Sequence, residues 1–200
     1  HDDRKYLAVA WAPDTAESFW VVVMNTARFS ADEEVRQVWS RRRVLLDDHS
    51  AAVAERARAA AKFLQLSADI EEALAAAGLF HDFGKDHARF QFALGNDMAD
   101  EGARPLAKSG MRSPVRIRSA WQRAGLGRWR HEQLSAVKAA GALSPIGDPQ
   151  RDLAVRLVGT NHGRGRPMFE QAALEVMAGS NTDRDLAEDL FDGGGWEDLI

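Results

Sequence analysis

The spacing of apolar residues changes period along this chain. Residues 6–11 and 18–24 are apolar runs, the second reading Ser18-Phe19-Trp20-Val21-Val22-Val23-Met24, on either side of Ala12-Pro13-Asp14-Thr15. β-Branched and aromatic runs flanking a Pro-Asp turn predict a β-hairpin. A lone hairpin is marginal in water, so this one needs a surface to pack on. From Ser30 the period becomes helical. Ser30 and Glu33 stand at capping-box spacing, and Val35, Val38, Trp39 and Leu46 form one stripe. A second helix is expected over 48–66, with Val53, Ala57, Ala60 and Leu64 facing inward. Ser67 caps a third, which carries Ile70, Leu74, Ala77 and Phe80 towards His81. A short helix over 86–94 follows. Residues 95–130 lose the pattern and read as a long loop with at most a short helix around Ala120. Helical spacing returns at Leu134, Val137, Ala140 and Leu143. Asp148-Pro149 opens a helix holding Leu153, Leu157 and Val158. Further helices are expected over 167–177 and from Thr182 to Phe191.

Composition narrows the class. The chain has 200 residues, 45% hydrophobic and 28% charged, which fits a globular protein of one domain with a small appendage. Residues 1–29 read as a hairpin appendage or the end of a preceding domain, and 30–200 as the main domain. The closing Trp196-Glu197-Asp198-Leu199-Ile200 is amphipathic, so the fold is expected to run past it. The absence of cysteine excludes disulfides and thiolate metal sites. No apolar run approaches the roughly 20 residues that span a bilayer. A net charge of −4 gives no global nucleic-acid signal, so only local clustering could supply one.

That clustering lies between 104 and 130. Arg104, Lys108, Arg112, Arg116, Arg118, Arg123, Arg128 and Arg130 occur there without any Asp or Glu, interleaved with Trp121 and Trp129. Arginines with aromatics fit a path for single-stranded nucleic acid, bound by backbone charge and base stacking. A solvated loop that docks an acidic partner has the same composition.

The densest chemistry is the octet Gly78-Leu79-Phe80-His81-Asp82-Phe83-Gly84-Lys85. At a last helical turn, His81 and Asp82 can converge on an ion beyond the helix end. Gly84 is expected to end that helix in the left-handed conformation, and the helix C-terminus favours a cation. Read alone, the octet fits a surface His–Asp pair equally well. His49, His131 and His162 also fall at predicted helix boundaries, where helix ends of a bundle can meet. Imidazoles with Asp82 suit Fe, Mn, Co, Ni or Zn rather than Mg or Ca. Each histidine could instead cap its own helix. Lys85 could hold a phosphate. The octet is not a nucleotide-binding loop: five residues separate its glycines, and Asp86 stands where Ser or Thr is required.

In order, the chain reads Asp48-His49-Ser50, then His81-Asp82-Phe83-Gly84-Lys85 with Phe90-Gln91. Arg130-His131-Glu132-Gln133-Leu134-Ser135 and Asn161-His162-Gly163-Arg164 follow. This series resembles the HD superfamily and, more narrowly, the HD nuclease domain of the type I CRISPR effector nuclease-helicase. The likeness covers residues 44–170. It implies a mainly α fold: an HD helical bundle, here with a short N-terminal β-hairpin and a long basic loop. It also implies metal-dependent cleavage of single-stranded DNA in the prokaryotic cytoplasm, beside a helicase domain or subunit and an RNA-guided surveillance complex, away from membranes. The metal residues carry over onto His49, His81, Asp82, His131 and His162, for one or two ions, with Lys85 as the catalytic cation beside His81 and Asp82. The family usually has two consecutive histidines before the glycine. Here the first is Asn161, whose amide oxygen is a weaker ligand. The family's last aspartate would be Asp183, Asp185, Asp189, Asp198 or a residue past Ile200. Strand contacts are expected at Arg112, Arg116, Arg118, Trp121, Arg123, Arg128, Arg130 and Arg164. Two rival readings share these motifs: an HD phosphohydrolase of nucleotides or cyclic dinucleotides, and a degenerate HD module that only docks partners.

Overall fold

The computed structural model describes residues 6–9, 22–25, 40, 42–99, 102–110, 113–126, 129–143, 148–162, 181–192, 195–196 and 198–199. Residues 30–39 of the helix expected from Ser30 and the helix expected over 167–177 lie outside them, as do Arg112, Arg128 and Arg164. The fold is mainly helical. Strands β1 (Tyr6–Val9) and β2 (Val22–Asn25) pair antiparallel with Tyr6 opposite Asn25, as the apolar runs predict. A second two-stranded ribbon joins β3 (Arg43–Leu45) to β4 (Leu106–Ser109). Residues 43–45, expected to end a helix, therefore form a strand, because their partner lies far along the chain. No described helix is long and apolar enough to cross a membrane.

Helix α1 (Leu46–Phe63) packs along α2 (Ala68–Phe80). Their contact uses small residues. Ala54 and Ala61 of α1 and Ala73, Ala77 and Gly78 of α2 are buried, and a Cβ on Gly78 would come within 3.0 Å of the Ala54 Cα. The expected inward residues Leu64 and Ile70 are instead exposed. A face built for backbone approach buries alanines in place of large side chains, and of the residues expected inward on α2, Ala77 is buried and Phe80 packs against the core. Beyond α2, a 3₁₀ turn (Phe83–Asp86) leads into α3 (Ala88–Ala93), and the two replace the single helix expected over 86–94.

Residues 95–130 hold the short helix expected around Ala120, but more regular structure than the loop expected on either side of it. They hold β4 and a ten-residue helix, α4 (Pro114–Arg123), whose N-cap Ser113 accepts from the Arg116 backbone N–H at 3.5 Å. Helix α4 buries Ile117, Ala120 and Trp121 and exposes Arg116, Arg118 and Arg123. Helix α5 (His131–Ala142) runs through the core and packs on α6 (Asp148–Gly159), which begins at the expected Asp148. Of the residues named for α6, Val158 is buried and Leu157 packs against the core, while Leu153 is exposed and Ala154 and Val155 are buried in addition. Helix α7 (Asn181–Ala187) continues into one π-helical turn (Glu188–Asp192).

The core gathers around Phe90, whose ring meets Trp121 edge-on at 4.9 Å and Trp129 at 5.4 Å between centroids. Trp196 closes the other end. It leaves no room for a side chain at Gly159, and the Arg156 guanidinium lies 4.5 Å from its ring centroid.

Candidate metal centre

Four elements supply the site. His49 sits in the first turn of α1, and His81 is the C-cap of α2. Asp82 precedes the 3₁₀ turn, and His131 opens α5. The turn can lie against α5 because Gly84 has no side chain. A Cβ there would stand 2.1 Å from the His131 carbonyl oxygen. The Gly84 N–H donates to Ser135 Oγ at 2.8 Å, which fixes the contact. Gly84 is therefore not the left-handed helix cap expected. Helix α2 ends at Phe80, and Gly84 serves close approach within the next turn.

Asp82 is the centre, only 2% exposed. His49 Nε2 and His81 Nε2 each lie 3.4 Å from its Oδ2, and His131 Nε2 lies 3.2 Å from its Oδ1. Lys85 Nζ donates to Oδ2 at 2.6 Å. Burial alone would raise the Asp82 carboxyl. The Lys85 ammonium and the His131, His49 and His81 imidazoles outweigh burial and hold it well below the usual carboxylate range. Asp82 is thus ionised in the interior, as a metal ligand must be.

The His81 tautomer follows from its other nitrogen. Nδ1 lies 2.7 Å from the Gly78 carbonyl oxygen, an acceptor, so Nδ1 carries the proton. Protonated His81 donates from Nε2 to Asp82 Oδ2, whereas the neutral ring would turn an Nε2 lone pair towards it. Two acceptors 3.4 Å apart repel unless a proton or a cation lies between them. Ligands about 2.1 Å from a tetrahedral ion stand about 3.4 Å from one another. The spacing and the donor types therefore fit a transition metal ion. Two trios qualify, His49–His81–Asp82 and Asp82–His131–His162, each with ligand atoms within 4.8 Å of one another. They share Asp82.

His162 follows α6, its ring 5.2 Å from that of His131 between centroids. Burial and the neighbouring His131 push its pKa down to about 4, so its lone pair stays available to a ligand well into the acid range. Asn161 is exposed, with Nδ2 at 3.5 Å from His162 Nε2. Lys85 is buried and bonded to Asp82, so it balances that carboxylate rather than reaching outward for a phosphate.

The expected nucleic-acid residues divide. Trp121 is buried, and its Nε1–H donates to the Leu126 carbonyl at 3.0 Å. Trp129 is wholly buried as well. Neither ring can stack on a base, because the periodicity of α4 and the Phe90 cluster turn both inward. Arg116, Arg118 and Arg123 remain on the surface, and Arg130 is half-buried, donating to the Trp129 carbonyl at 2.9 Å. Arg104 bridges to Asp47 and Asp48 at the start of α1. Among the candidates for the last acidic ligand, Asp185, Asp189 and Asp198 are exposed.

Two residues of the site had no assigned role in the sequence. Ser135 locks the turn to α5. Glu132 is buried beside His131, its Oε2 3.5 Å from Nδ1. Both stand in the Arg-His-Glu-x-x-Ser run, and their helical spacing from His131 was the available signal. No protein-family model matches this chain, and comparisons with curated proteins and with solved structures gave no significant match.

Proposed function

We propose that this chain is a metal-dependent hydrolase of phosphodiester bonds, of the HD nuclease type its motifs resemble. Its substrate in this reading is single-stranded DNA, met beside a helicase and an RNA-guided surveillance complex. The observation that carries the reading is the convergence of three imidazole Nε2 atoms on one buried, ionised carboxylate. His49, His81, His131 and His162 with Asp82 would hold one or two divalent transition ions. Such an ion supplies Lewis acidity, making water acidic near neutral pH and offsetting phosphate charge. The chain's own work is positional. Lys85 keeps Asp82 ionised, the Gly78 carbonyl fixes the His81 tautomer, and the exposed arginines of α4 offer the phosphate backbone a charged surface.

One observation favours the second reading, a hydrolase of nucleotides or cyclic dinucleotides. Burial of Trp121 and Trp129 removes the stacking surface a strand would use. A single assay separates the readings. The purified chain is incubated with Mn²⁺ or Ni²⁺ and either circular single-stranded DNA or small phosphoesters. Cleavage of the circle, lost in His81→Ala and Asp82→Ala, supports the nuclease. Turnover of the small esters alone supports the phosphohydrolase. A chain that takes up no metal is the docking module.

A further inference from the structure

Gln91 is wholly buried, yet every hydrogen-bonding position of its amide is used. Nε2 donates to the Lys85 carbonyl at 2.5 Å and to the Leu106 carbonyl at 3.0 Å. Oε1 accepts from the Leu106 N–H and from Asn96 Nδ2, both at 2.8 Å. Two donors and two lone pairs exhaust an amide. A polar side chain so placed in a core rich in Ala, Leu and Trp is costly to bury unless each bond is made.

The partners of that amide belong to two different supports of the metal centre. Lys85 lies in the 3₁₀ turn that follows Asp82. Leu106 lies in β4, opposite Leu45, the last residue of β3. Leu45 is also the N-cap of α1, and it has no side-chain cap bond. The first turn of α1 is instead tied to the β4 side by its backbone, Leu46 N–H donating to the Pro105 carbonyl at 2.8 Å. His49 follows three residues later. A path of hydrogen bonds, joined by the Pro105–Leu106 peptide, therefore runs from the Asp82 turn through Gln91 to the helix start that carries His49. His131 reaches the same turn by a separate route, the Gly84–Ser135 bond.

We infer that Gln91 is a positioning residue of the metal centre: it sets His49 in register with Asp82 by clamping β4 to the turn that carries Lys85. The inference rests on the metal reading of the site. It also assigns a distinct task to the Phe90-Gln91 pair. Phe90 fills the core, and Gln91 couples two ligand-bearing elements.

The test is a Co²⁺ titration of the whole chain, read by the absorption of the bound ion, with circular dichroism to confirm folding. Gln91→Leu keeps the volume and removes the amide. It should weaken Co²⁺ binding by about 10- to 100-fold, the usual effect of losing a residue that orients ligands. A double-mutant cycle then separates positioning from general loosening. Adding Gln91→Leu to His49→Ala should cost little more than His49→Ala alone, whereas adding it to His162→Ala should cost its full effect. Asn96→Ala removes one donor to Gln91 Oε1 from a half-exposed position. It runs the same cycle with a smaller loss if Gln91→Leu does not fold. Binding unchanged in both variants, or losses fully additive with His49→Ala, overturns the inference. A wild-type chain that takes up no Co²⁺ overturns the metal reading itself and this inference with it.

Discussion

Asp82 and Lys85 form a pair in which neither partner tolerates the loss of the other. Their side chains are nearly inaccessible and 2.6 Å apart. Removing one member of a buried pair leaves an uncompensated charge, at a cost of about 3–5 kcal/mol. Asp82→Ala should therefore lower stability by that order in urea unfolding, in addition to abolishing metal uptake. His81→Ala removes a ligand without stranding a charge, so it should abolish uptake at a much smaller stability cost. Equal losses in the two variants would count against Lys85 as the charge partner. Gly84 yields a second prediction at this scale. Gly84→Ala forces the turn away from the His131 carbonyl, so it should cost about 1–3 kcal/mol, as overpacked sites do. It should also weaken Co²⁺ binding, because the turn moves Asp82 relative to His131. The sequence showed a glycine beside the His–Asp pair but not its purpose. The atom that demands it belongs to a residue 47 positions later, and no local pattern carries that information.

At the scale of elements, legibility depended on what each element packs against. Helix α4 was readable in principle. Ile117, Ala120, Trp121 and Ala124 recur at i, i+3, i+4 and i+7, after Ser113-Pro114, a cap and a first-turn proline. The arginines and glycines around it favour a loop and place Trp121 on a nucleic-acid path. Strand β3 was not readable, since three residues become a strand only by pairing with β4. The corrected α4 separates two effects that the loop reading joined. Trp121→Ala empties a large core site, so it should cost about 3–5 kcal/mol in urea unfolding. Its effect on DNA should not exceed the fraction unfolded. Arg116→Glu with Arg123→Glu should leave stability within about 0.5 kcal/mol, as exposed substitutions do. If α4 carries a strand, the pair should weaken oligonucleotide binding, most at low salt. Unchanged affinity in the arginine variant would remove α4 from the strand path.

Over the whole molecule, the residues of the candidate metal centre are more legible than the scaffold holding them. His49, His81, His131 and His162 were marked by chemistry and by their places at helix ends, and the bundle brings those ends together. Gln91 and Ser135 stand in the Phe90-Gln91 and Arg-His-Glu-x-x-Ser runs, but their hydrogen-bond partners Leu106 and Gly84 lie 15 and 51 residues away, so their tasks do not show in the local sequence. Asp82, His87 and His162 each make stability depend on pH, all three in the same direction. His162 binds a proton near pH 6.5 when unfolded and only near about 4 when folded. Between those values the unfolded chain holds more protons, so folding weakens as pH falls. His87, also lowered by burial and by Arg89, contributes in the same direction. Asp82, held well below 3.8, stabilises the fold above its unfolded pKa and loses that contribution as pH drops through its folded value. In EDTA, urea midpoints should accordingly be flat above about pH 7 and decline below it. The decline should come first through the histidine window and then, below about pH 4, through Asp82. His162→Gln should flatten part of the first decline, leaving the share due to His87, and should leave the second unchanged. A wild-type midpoint constant down to pH 5, or a His162→Gln profile parallel to it, would mean that His162 is not held neutral inside the centre.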